Sequence, residues 1–142
     1  MFAEYDYSQF PIVNVYFSST VENNEDFNNF TEEWYNLYRR GEPFKFIFHT
    51  EGVRNVPIKY SFMMAKFIKR LKKEKIQYLE NSIIFVSSKL VKSLLGIIFF
   101  FQSPVAPVYI VYSDITDKEK YINDIRNNQI EKNVSIIKPY RK

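Results

Sequence analysis

Short apolar runs rich in Val, Ile, Phe and Tyr alternate along this chain with longer stretches whose apolar residues recur at helical spacing. Few folds accept that alternation. Strands separated by helical crossovers pair in parallel, and the helices cover the sheet. Phe2 to Tyr7 and Ile12 to Phe17 read as two strands joined by a turn at Ser8 to Pro11. Asn23 or Asn24 then caps a helix that carries Glu25 and Asp26 in its first turn and Phe27, Phe30, Trp34, Leu37 and Tyr38 on one face. Gly41 sits where a terminating glycine belongs. Phe44 to Thr50 is a third strand, and Pro57 opens a second helix at its first position.

That second helix has an apolar stripe of Tyr60, Met63, Met64, Phe67, Ile68 and Leu71. Lys59, Lys66, Lys69, Arg70 and Lys73 fall on its other side. Ser82 to Val86 is a fourth strand, and Ser87 or Ser88 caps a third helix bearing Leu90, Val91, Leu94, Leu95 and Ile98. Val108 to Tyr112 is a fifth strand. Thr116 and Glu119 make a capping box for a fourth helix with Ile122 and Ile125 inward. Val134 to Ile137 adds a short terminal strand, and 139–142 reads as a flexible tail. The expected fold is α/β: one domain over 1–142, with a mixed, mostly parallel sheet in the order β-β-α-β-α-β-α-β-α, covered by helices.

The inventory excludes many chemistries. There are no cysteines, so thiol nucleophiles, thiolate metal sites and disulfides are ruled out. One histidine, His49, leaves no multi-histidine metal site within a chain. Three glycines build neither a dinucleotide fingerprint nor a P-loop. No metal and no cofactor is expected. Phe, Tyr, Ile, Asn and Lys are abundant, which suits the codons of an A/T-rich genome such as that of a large DNA virus or a protist.

From Ser93 to Ser113 no residue is charged, a length sufficient for a membrane span. Pro104 and Pro107 interrupt it, so it divides into a helix ending near Phe101 and the fifth strand. The opening residues are acidic and lack an apolar leader core, so a cytoplasmic protein without a transmembrane segment is expected.

In this element order the chain resembles a STAS domain of the wider SpoIIAA-like group, over roughly Phe2 to Asn127. The resemblance rests on SIIFV leading into SSKLVKSLLGIIFFF and on the Pro-x-x-Pro-Val-Tyr-Ile-Val entry to the fifth strand. It implies a non-catalytic module that binds partner proteins, in some members nucleotides or lipids. Several members switch by phosphorylation of a serine that opens the second helix. Here the loop from Thr50 to Pro57 has no serine, so no phosphoacceptor is carried over.

Two constellations could carry a function. Ligands of open α/β sheets gather at the carboxyl ends of strands. There the sequence places His49, Thr50 and Glu51, with Ser87 and Ser88 after the fourth strand and Asp114 after the fifth. A histidine, a carboxylate and a serine are the minimum for nucleophilic hydrolysis, but no G-x-S-x-G elbow is present. A small hydrolase or transferase centred on His49 and Glu51 is therefore a subordinate reading.

The second constellation is the basic helix face, Lys66, Lys69, Arg70 and Lys73, suited to phosphates of nucleic acid or lipid. It stands against seven acids and no Lys or Arg before Arg39. The leading expectation is a non-enzymatic binding or regulatory module that engages a protein partner, with an anionic ligand on the basic helix as the alternative.

Overall fold

A computed structural model describes residues 2–18, 20–112, 118–127 and 134–139. The elements are β1 (Ala3–Asp6), β2 (Ile12–Phe17), α1 (Asn24–Leu37), a 3-10 turn (Tyr38–Arg40), β3 (Phe44–His49), α2 (Lys59–Leu71), β4 (Leu79–Val86), α3 (Lys89–Phe101), β5 (Val108–Tyr112), α4 (Lys118–Arg126) and β6 (Val134–Ile137). The strands form one mixed sheet in sequence order, β1-β2-β3-β4-β5-β6. β2 through β5 pair in parallel, and β1 and β6 add antiparallel edges. This is an α/β fold.

Strand order explains the layering. Each parallel crossover steps the same way, so right-handed connections put α1, α2 and α3 on one face. That face carries the rows Val13–Phe46–Ser82–Val108 and Val15–Phe48–Ile84–Ile110. Phe27, Phe30, Trp34, Tyr60, Phe67, Leu71 and Val91 from the helices pack on these rows. The opposite face presents Ile47, Ile83, Phe85 and Val111, which pack with Ile125 of α4 and the half-buried Ile122.

Local signals set several boundaries. The Asn23 side chain accepts a hydrogen bond from the backbone N–H of Asp26 at 2.9 Å and caps α1. Gly41 ends the 3-10 turn at φ 69°, where a Cβ is disfavoured. Of the two serines expected to cap α3, Ser88 does so, its Oγ accepting from the N–H groups of Leu90 and Val91.

Some expectations need correction. The second helix does not begin at Pro57. Pro57 and Ile58 instead accept tight-turn bonds from Tyr60 and Ser61 before the helix proper starts at Lys59. β4 begins at Leu79, because Phe44 N–H donates to Tyr78 C=O and extends the pairing below Ser82. Phe101, the last residue of the apolar third helix, is 59% exposed rather than part of the core. Among the α3 residues expected inward, Val91 is buried, while Leu90, Leu94, Leu95 and Ile98 are half-buried. Met64 of α2 is also half-buried. Asp114, Thr116 and most of the expected tail lie outside the described residues. Among the described residues, no helix is long and apolar enough to cross a membrane.

Candidate functional site

Register builds the first cluster. Tyr16, His49, Phe85 and Val111 form one row across the carboxyl end of the parallel strands, on the α4 face. The His49 ring stacks on Tyr16, centroids 4.4 Å apart and 8° from parallel, and lies 6.0 Å from Phe85. Its Nε2 is 2.9 Å from Asn14 Oδ1, and its Nδ1 is 2.7 Å from Lys118 Nζ at the start of α4. A lysine ammonium only donates, so Nδ1 accepts and Nε2–H donates to Asn14. The ring is therefore neutral. Burial, then the Lys118 cation, push the His49 pKa down to about 4, with Glu51 opposing.

Lys118 also pairs with Glu51. Partial burial pushes the Glu51 carboxyl up. The hydrogen bond from Lys118, a backbone N–H and the lysine charge outweigh that and hold it below its usual value. Lys118 thus joins the two sequence-predicted residues. Thr50 belongs elsewhere: it lies on the face covered by α1, α2 and α3, and its hydroxyl donates to Phe85 C=O at 2.6 Å. Ser87 is exposed and Ser88 is the α3 cap, and no contact among the described residues joins either to His49. Both ring nitrogens of His49 are taken, and among the described residues no hydroxyl stands in the nucleophile position. Among the described residues no cluster of three His, Cys, Asp or Glu could hold a metal ion.

The second cluster lies on the outside of α2 and α3. Lys59, Phe62, Lys66 and Lys69 follow one another at steps of three and four, which puts them on one face of α2, and Lys73 follows in the turn just past its end. All five are exposed. Arg70 is exposed too, but its guanidinium sits 4.1 Å over the Tyr35 ring, turned toward α1. Phe62 is 42% exposed and Phe100 is 82% exposed. Phe62 meets Phe101 at 5.3 Å between centroids, and Phe101 meets Phe100 at 5.0 Å. The lysine face thus runs directly into an aromatic patch.

Sequence spacing located the lysines but not the phenylalanines, because a helix apolar on every side reads as buried. Lys118 and Asn14 were also missed. Asn14 could have been found from its polar position two residues before Tyr16 in a strand facing the His49 strand, whereas Lys118 carries no local signal. Comparison with protein-family models, curated proteins and solved structures finds no match to this chain.

Proposed function

We propose that this protein is a non-enzymatic binding module that docks on anionic membrane surfaces through the joined outer faces of α2 and α3. The observation that carries the reading is the contact of exposed Phe62, Phe101 and Phe100 beside Lys59, Lys66, Lys69 and Lys73. A contiguous exposed aromatic patch marks an interaction surface. A lipid interface offers a phosphate layer for the lysines and an apolar layer just beneath it for the phenylalanines. Nucleic acid fits less well, since from Ser93 to Phe101 the α3 side has no cation to meet a phosphate. The cytoplasmic leaflet is the anionic one, so a cytoplasmic location follows from the same reading. The engaged nitrogens of His49 support the non-enzymatic part.

In fold terms we read the sequential parallel core as SpoIIAA/STAS-like and its sheet as mostly parallel. The strand order and pairing support this. A protein partner, the role common in that group, is the competing occupant of the same face.

The test is vesicle sedimentation. Binding is expected to phosphatidylserine-containing vesicles at low salt, with loss as salt rises and little binding to pure phosphatidylcholine. Each lysine at such a surface contributes about 1 kcal/mol, so Lys66→Ala with Lys69→Ala weakens binding roughly 30-fold. Phe100→Ser with Phe101→Ser removes the apolar anchor without disturbing the core. No binding to anionic vesicles, or binding that both double variants leave unchanged, would overturn the reading. A protein captured through the same phenylalanines without vesicle binding would establish the competing occupant.

A further inference from the structure

Beneath α3, between the sheet and the inner sides of α1, α2 and α3, lies a cavity of about 150 Å³. We propose that it is a binding site for one small neutral molecule, a ring or short chain of about benzene size with a single hydrogen-bond acceptor. This site is separate from the outer docking face and does not depend on it.

Three observations define the ligand. An apolar cavity of this size stays dry and accepts a molecule of about benzene size. No charged side chain among the described residues lines it, so a carboxylate or ammonium would be buried unpaired. Two donors in its walls lack partners: Trp34 Nε1 of α1 and Ser61 Oγ of α2 are buried with no hydrogen bond. Buried donors are rarely left unpaired. Of the other three wall hydroxyls, those of Thr50 and Tyr60 are satisfied, by Phe85 C=O and Asn24 Oδ1, and Ser82 of β4 is the third. The complementary ligand is apolar with one acceptor oxygen, as in a cyclic or short-chain ketone. Met64 of α2 and Leu94 and Ile98 of α3 line the cavity and are half-buried, and of these the unbranched methionine yields most easily to an entering molecule.

Trp34 is the sole tryptophan, so a ¹⁵N-labelled protein gives one indole N–H resonance, reporting from the cavity wall. The probes are cyclohexanone and methylenecyclohexane, which share shape but differ in the acceptor. A saturable shift of that resonance is expected with cyclohexanone, bound about fivefold more tightly than the hydrocarbon, the effect of one hydrogen bond. Ser61→Ala should narrow that preference, and Val91→Phe should abolish binding of both by filling the cavity. If Val91→Phe does not fold, Leu94→Phe fills the same space from a half-buried position. No saturable shift with either probe, equal affinity for the two, or binding that survives a folded filled variant would each overturn the proposal.

Discussion

Lowering the pH from 7 to 5 should weaken this fold through a single side chain. His49 is 8% exposed and hydrogen-bonded as a neutral ring between Asn14 and Lys118. Its folded pKa of about 4 lies below the ordinary value of 6.5. A depressed folded pKa means that the unfolded chain takes up the proton first. The stabilisation is therefore complete above pH 6.5, is lost as pH falls, and is gone below about 4. At pH 5 these two values give a loss of about 2 kcal/mol relative to pH 7, and solvent screening at the half-exposed Lys118–Glu51 side brings it toward about 1–2 kcal/mol. His49 is the only histidine, and ordinary carboxylates titrate lower, so little else contributes in this window. Urea unfolding at both pH values measures the loss. His49→Gln should flatten the difference, and the His49 Cε1–H resonance of the parent should titrate near pH 4. A parent equally stable at pH 5 and 7, or a resonance titrating near 6.5, would refute the neutral buried ring.

The aromatic core and one close approach supply two further tests. Phe67 is buried with its ring centroid 5.3 Å from Trp34, so Phe67→Ala should cost about 3–5 kcal/mol and shift the denaturation midpoint accordingly. An unchanged midpoint would remove Phe67 from the core. Gly52 has no room for a side chain: a Cβ there would lie 2.4 Å from the Phe17 carbonyl oxygen. Gly52→Ala should therefore lower stability by about 1–3 kcal/mol in thermal unfolding, as overpacking does.

Periodicity reads what is decided locally. The Ile12–Phe17, Val108–Tyr112 and Val134–Ile137 strands coincide with their expected spans, since β-branched and aromatic runs between turn residues have no competing local state. α3 is the instructive failure. Its apolar residues signal burial on every side, yet only one side has the sheet to pack on, so Phe100 and Phe101 are left outside. The same mismatch appears beneath it, where Leu94 and Ile98 line a cavity rather than close-packed core. At the carboxyl end of the sheet, His49 and Glu51 were legible as neighbours. What joins them is Lys118, a residue 69 positions from His49 in the chain, brought there by the packing of α4.

Every pairing in the sheet joins strands that follow one another along the chain. No strand must wait for a distant segment to arrive between two others, so loop closure never spans more than one crossover. Folding can begin at β3-α2-β4, where Phe44, Phe46 and Phe48 meet Phe67 and Leu71 in one cluster, and then extend outward one strand at a time. Such an assembly folds quickly for an α/β protein of this length, and it opens from its antiparallel edges before its parallel centre. In hydrogen exchange, the amides of β1 and β6 would then lose protection first and those of β3 and β4 last.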